Sequence, residues 1–199
     1  MWTQIDVSFL PVPDPNQHDP EVGKQGWGYL PYNDPDLLEW FESVGYQNKI
    51  KTVFEIGTFA GYSATMFLEM FPFLEKITTI DPNLFSVKAG VALKEKYGDR
   101  VEFVNSSSGT YKDRDQVDLV YIDGNHQDPR PQKDIQMALQ MKPRFIMMDN
   151  IELPDVRRAV KMNNLFNLEH DPKYFYYTNE HRGRRQPGII GLFKNVINR

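Results

Sequence analysis

From residue 35 onward, two kinds of apolar pattern take turns along the chain. Short runs rich in Val, Ile, Phe and Tyr fall at 51–56, 76–80, 101–105, 117–122 and 144–148. Runs of that length and composition predict strands. The run 117–122, Val-Asp-Leu-Val-Tyr-Ile, is mostly apolar, as a strand covered on both faces must be. The run 101–105 instead alternates apolar and polar residues.

Between the strands the apolar residues take helical spacing. Asn33-Asp34-Pro35 is a helix start, a cap followed by proline at the first position; Leu37, Leu38, Phe41 and Val44 follow, and Gly45 is a plausible stop. A second helix covers 63–71 and ends at Pro72. A third covers 84–97, with Val87 and Val91 inward, Lys88, Lys94 and Lys96 outward, and Gly98 closing it. Pro131 opens a fourth with Ile135 and Leu139 inward, and a fifth runs from about 154 to 164. The last two β-rich runs, 174–178 and 189–193, are separated by a stretch too short for a crossover helix, so they should pair as a hairpin.

Strand–helix alternation five times, then a hairpin, predicts an α/β fold: a doubly wound, mostly parallel sheet with an antiparallel contribution at one edge. Residues 1–33 stand apart. Pro11, Pro13, Pro15 and Pro20 oppose a regular helix there, and Trp2, Trp27, Tyr29 and Tyr32 are interspersed. This is an irregular arm packed over the core by its aromatics, a lid over a substrate, or both. Residues 34–199 form the domain.

Ligands in doubly wound sheets bind outside the carboxyl ends of the strands. Polar residues collect there: Glu55, Gly57 and Gly61 after the first strand, Asp81 after the second, Ser107 after the third, Asp123 and His126 after the fourth, Asp149 and Asn150 after the fifth. The first group reads Glu55-x-Gly57-x-x-x-Gly61 between strand and helix. Residues without Cβ let backbone approach a ligand closely, and the free N–H groups of a helix start suit an anionic group. The dinucleotide fingerprint Gly-x-Gly-x-x-Gly is not met, because an acid stands where its first glycine belongs, and an acid would repel a pyrophosphate. Asp81 lies 20 residues after Gly61, the spacing at which an acid accepts hydrogen bonds from ribose hydroxyls in nucleotide-binding α/β folds.

Glu-x-Gly-x-x-x-Gly after a buried strand resembles the first motif of the class I S-adenosylmethionine-dependent methyltransferases. The longer string over 55–64, Glu-Ile-Gly-Thr-Phe-Ala-Gly-Tyr-Ser-Ala, is most similar to the cation-dependent, catechol-type O-methyltransferases. The resemblance spans about residues 34–193 and implies the Rossmann-like, seven-stranded methyltransferase fold. It implies S-adenosylmethionine as cofactor, with Glu55, Gly57, Thr58, Gly61 and Ser63 around its amino acid portion, Asp81 on its ribose, Ser107 at its adenine, and Asp123 nearby. It implies a magnesium or manganese ion on Asp123, Asp149 and Asn150, whose hard oxygen donors suit such a cation. In the catechol-type enzymes a lysine three residues after the first metal acid takes the acceptor's proton; here His126 stands at that position, as in a related group reading Asp-Gly-Asp-His. Asn125 departs from that group, which has an acid there.

Composition narrows the function. With 199 residues, 40% hydrophobic and 25% charged, the chain has the make-up of one ordinary globular domain. A net charge of −4 argues against nonspecific nucleic-acid binding, which needs a basic surface. The absence of cysteine excludes disulfides, thiolate nucleophiles and Cys-ligated zinc. No apolar stretch is long enough for a membrane span and no signal peptide is visible, so cytoplasmic residence is expected. The basic run 181–185, His-Arg-Gly-Arg-Arg, is a solvated turn, a recognition site for an acidic acceptor or an RNA contact, the last with little support from the overall charge. The leading expectation is methyl transfer to an oxygen of a small molecule. The alternatives are metal-independent transfer to nitrogen or oxygen, and a cofactor-binding protein without catalysis. The acceptor and the oligomeric state are not encoded in any visible motif.

Overall fold

The computed structural model describes residues 5–11, 35–179 and 184–194. Helix α1 (Pro35–Asn48) buries Leu37, Leu38, Phe41 and Val44, the stripe its spacing predicts. Five strands follow: β1 (Thr52–Ile56), β2 (Lys76–Ile80), β3 (Val101–Val104), β4 (Leu119–Ile122) and β5 (Phe145–Met148). Helices α2 (Tyr62–Met70), α3 (Leu84–Tyr97), α4 (Arg130–Gln140) and α5 (Pro154–Met162) lie between and after them. The chain closes with β6 (His170–Asn179) and β7 (Arg184–Lys194).

The seven strands lie in the order β3-β2-β1-β4-β5-β7-β6. The first five pair in parallel. Strand β7 runs antiparallel to both β5 and β6, so the hairpin is longer than the two β-rich runs alone predict. The strand order reverses between β1 and β4, and crossovers leaving these neighbours diverge; a crevice opens there at the carboxyl ends.

Side-chain alternation divides the core in two. Val53, Leu119, Tyr121, Phe145 and Met147 pack on one face with α1 and α2. Phe54, Val120, Ile122, Ile146 and Met148 pack on the other with α4 and α5. A sheet buried on both faces favours apolar side chains in its central strands, which is why β4 and β5 are apolar throughout.

Two expectations are corrected. Helix α3 turns Ser86, Ala89, Gly90 and Leu93 inward, while Val87 and Val91 are 37% and 54% exposed. At Gly90 only a residue without a side chain fits, because a Cβ there would lie 2.3 Å from the Phe103 ring. The strand–helix alternation also fails once, for no helix joins β3 to β4. A turn replaces it, in which the Ser107 carbonyl accepts the N–H groups of Thr110 and Tyr111 at 3.0 and 2.9 Å.

Candidate active site

Strand β1 ends in a turn that only its sequence permits. Gly57, Phe59 and Gly61 have φ of 104°, 44° and 87°, the left-handed region that disfavours a Cβ. At Gly57 the approach is also too close for one, since a Cβ would sit 2.2 Å from the Asp123 carbonyl oxygen. The turn is therefore in backbone contact with the end of β4. The Gly57 N–H donates to Ile80 O and the Asp123 N–H to Ile56 O, both at 2.9 Å.

Beneath the turn lies Glu55, with no exposed surface. The Ser63 hydroxyl donates to one of its oxygens and the Thr79 hydroxyl to the other, the latter at 2.5 Å. Thr58 joins this set through Thr79, 2.5 Å away. Burial pushes the Glu55 carboxyl up to about 7; the two hydroxyl donors oppose this, and the charges of Asp123 and Asp81 add to it. Glu55 and Ser63, at 0% and 5% exposure, thus hold the turn from below and present little or no surface to a ligand.

Asp81 stands half-buried at the end of β2. Its Oδ2 accepts the Phe59 N–H at 2.9 Å and its Oδ1 the Asn83 N–H at 2.8 Å. Each carboxylate oxygen keeps a second acceptor position. The side-chain amide of Asn105 donates to the Asp81 carbonyl at 2.9 Å, tying the β3–β4 connection to the same rim. Ser107 on that connection is half-buried, its hydroxyl 3.0 Å from Thr110 Oγ1. Its neighbour Ser108 donates to the buried Asp134 of α4.

The second half of the rim is acidic. Ile122 and Met148 are partners in register on parallel neighbours, so the next residues, Asp123 and Asp149, stand side by side, as the expected pairing requires. Asp149 is 6% exposed. Burial and then the charge of Asp123 hold its carboxyl well above the usual range, against His126 and the Asn150 N–H. The latter donates to Asp149 at 2.8 Å. His126 Nε2 lies 3.4 Å from Asp123 Oδ1, an ion-pair distance without a well-aligned hydrogen bond. Burial pulls the imidazole down, but the contact and charge of Asp123, with Asp149 and Glu152, raise it above its ordinary value. Buried Tyr121 adds its hydroxyl 3.4 Å from Asp123 Oδ2.

Asn150 takes φ of 54°, and its amide nitrogen donates to Glu152 Oε1 at 3.2 Å. A carboxylate only accepts, so the NH₂ must face Glu152 and Oδ1 is turned away from it. Glu152 Oε2 accepts the Ile189 N–H at 2.9 Å, which fixes this corner to β7. Among the described residues, no three Asp, Glu, His or Cys side chains converge closely enough to hold a metal ion. A cation here would take the Asp123 and Asp149 carboxylates with the Asn150 amide oxygen; these hard donors, one of them desolvated beside a like charge, fit magnesium or manganese.

Of the residues singled out in the sequence, Glu55, Gly57, Thr58, Gly61, Ser63 and Asp81 form one connected turn, and Asp123, His126, Asp149 and Asn150 one cluster beside it. Among the described residues, Ser107 bonds only within its own loop. In the run 181–185, His181, Arg182 and Gly183 lie outside the described residues. Sequence reasoning missed Thr79, Tyr121, Asp134 and Glu152. Thr79 carried a signal, a polar residue in the apolar strand Lys-Ile-Thr-Thr-Ile; the others had none.

The architecture defines the class: an α/β protein with a doubly wound sheet, whose glycine turn and acidic rim stand at the crevice where such folds take their ligands. The comparisons narrow it. A family model described as a methyltransferase domain matches residues 54–145, the segment holding the glycine turn, Asp81 and the Asp123–His126 loop. No curated protein matches the sequence. Solved structures do. A Pyrococcus horikoshii protein described as an RNA methyltransferase is 14% identical with a TM-score of 0.64, over 85% of this chain and 86% of its own. The Bacillus cereus O-methyltransferase in complex with S-adenosylhomocysteine is 17% identical with a TM-score of 0.57, over 81% and 82%. The N-methyltransferase NodS of Bradyrhizobium japonicum, also with S-adenosylhomocysteine, is 11% identical with a TM-score of 0.58, over 80% and 86%. The chain therefore has the Rossmann-like fold of the class I S-adenosylmethionine-dependent methyltransferases, and its residues 54–145 match the methyltransferase-domain model. Among the described residues no helix is long and apolar enough to cross a membrane.

Proposed function

We propose that the protein methylates an oxygen of a small-molecule acceptor with the help of a divalent cation held by Asp123, Asp149 and Asn150. One observation carries this reading. Asp149 is buried against Asp123 at adjacent strand ends, beside the glycine turn, and two neighbouring carboxylates need a positive charge or a proton between them. A bound cation would supply charge that favours the ionised acceptor oxygen. In this reading the turn backbone at Gly57, Thr58 and Gly61 cradles the cofactor's amino acid portion, with Ser63 close beneath it. Asp81 accepts the ribose hydroxyls, and Ser107 meets the adenine. Glu55 acts through the turn it supports. His126 receives the acceptor's proton, oriented by Asp123 at 3.4 Å. The chain's contribution to rate is alignment of nucleophile, methyl and sulfur, together with that proton transfer.

A second reading is metal-independent transfer to oxygen or nitrogen. It is favoured by the same His126–Asp123 contact, because an imidazolium there supplies one positive charge without a cation. Manganese titration followed by electron paramagnetic resonance separates the two. The first reading expects saturable binding that Asp149→Asn abolishes while S-adenosylhomocysteine still binds. Binding absent from the wild type, or unchanged in Asp149→Asn, rejects it in favour of the second.

A further inference from the structure

Residues 5–11 precede the first helix and lie outside the sheet, yet they enter the core. Ile5 and Leu10 are 3% and 5% exposed and belong to the apolar cluster shared with α1 and α2. The segment is folded on itself: the Leu10 N–H donates to Val7 O at 3.0 Å, and the Asp6 carboxylate accepts the Ser8 N–H and hydroxyl at 3.0 and 2.7 Å. It is also fastened to the last turn of α3. The Lys96 ammonium lies 4.0 Å over the Phe9 ring and 3.5 Å from the Asp6 carboxylate, and Phe9 meets Tyr97 edge-on with centroids 5.9 Å apart.

Leu10 then reaches the cofactor turn. A Cβ at Gly61 would lie 3.0 Å from Leu93 Cδ1 and 3.2 Å from Leu10 Cδ2, so these two leucines border the volume a side chain at 61 would occupy. The turn needs such support. It holds three left-handed residues within five positions, one of them Phe59, and left-handed backbone at a non-glycine residue persists only where the surroundings over-determine it. Glu55 and Thr79 hold the turn from below, and Asp81 holds the Phe59 N–H. Leu10 and Leu93 hold its helix end.

We propose that Leu10 is a positioning residue for cofactor binding: the segment 5–11 is a brace behind the glycine turn, setting the backbone on which S-adenosylmethionine rests. Calorimetric titration of S-adenosylhomocysteine into wild type, Leu10→Ala, Leu10→Met and Ile5→Ala, with Tm measured for each, tests it. Backbone misplacement of about 1 Å can lower activity by up to about 100-fold, and partial relaxation in Leu10→Ala should weaken binding by about tenfold. Leu10→Met refills the space and restores affinity. Ile5→Ala lowers Tm but keeps wild-type affinity, because Ile5 is as buried as Leu10 and is not among the nearest neighbours of Gly61. Should Leu10→Ala fail to fold, Leu10→Val is used, with hydrogen exchange of amides 57–62 rising relative to those of β4. Affinity losses that track Tm equally in the Leu10 and Ile5 variants, wild-type affinity in Leu10→Ala, or unchanged exchange in Leu10→Val would overturn the proposal.

Discussion

Replacing Glu55 by Gln should change how stability depends on pH. The carboxyl is wholly buried and its affinity for a proton is raised from the ordinary 4.5 to about 7, chiefly by burial. Between those values the folded protein binds more protons than the unfolded chain, so stability falls as pH rises through that window and levels off above it. Each factor of ten in proton affinity corresponds to about 1.4 kcal/mol, so this one group removes about 3 kcal/mol by about pH 8. Glutamine has nearly the same shape, keeps one acceptor for the Ser63 and Thr79 hydroxyls and carries no charge. Its amide offers a donor where the carboxylate had a second acceptor, and one of the two hydroxyls must turn to meet it. That rearrangement sets a constant offset, while the pH-dependent part vanishes. Urea denaturation of both proteins at about pH 5, 6, 7 and 8 reads the difference. The stability of Glu55→Gln relative to wild type should rise by about 2–3 kcal/mol from pH 5 to pH 8. Two curves that stay parallel over this range would show that Glu55 titrates normally, and the account of the sealed pocket under the turn would fail.

Two further outcomes follow from the same turn. Gly57→Ala places a Cβ 2.2 Å from the Asp123 carbonyl at φ 104°; it should cost about 2–5 kcal/mol in denaturation and abolish S-adenosylhomocysteine binding, because overpacking adds to left-handed strain. Asp81→Ala removes the acceptor of the Phe59 N–H and of the proposed ribose contact, and calorimetry should find cofactor affinity lower by about 1–3 kcal/mol.

Much of the fold was legible because burial on two faces leaves a plain signature. A central parallel strand reads as a near-continuous apolar run, and β4 and β5 are buried throughout, while β1 departs from the rule at Glu55, the residue under the turn. The turn was legible for a different reason: left-handed backbone and close approach to Asp123 both exclude side chains, so the requirement appears directly as Gly57 and Gly61. Helix α3 was misread because hydrophobicity stood in for burial. Its inner face carries Ser86, Ala89 and Gly90 beside Leu93, and the ring that demands a small residue at Gly90 belongs to Phe103, on a strand that the helix meets only once both are folded.

The site divides along the same line. The sequence by itself determined the element order, the carboxyl-end positions of the acids and the turn, since these depend on local pattern and short spacing. Tertiary structure alone decided which groups meet. Thr79 seals Glu55 because β2 pairs with β1 in the register Glu55↔Thr79. Glu152 orients Asn150 and reaches Ile189 because β7 inserts beside β5. Leu10 reaches Gly61 across 51 positions of chain. Electrostatics belongs to the same category: only burial of Asp149 beside the charge of Asp123, at adjacent strand ends, holds its carboxyl well above the usual range.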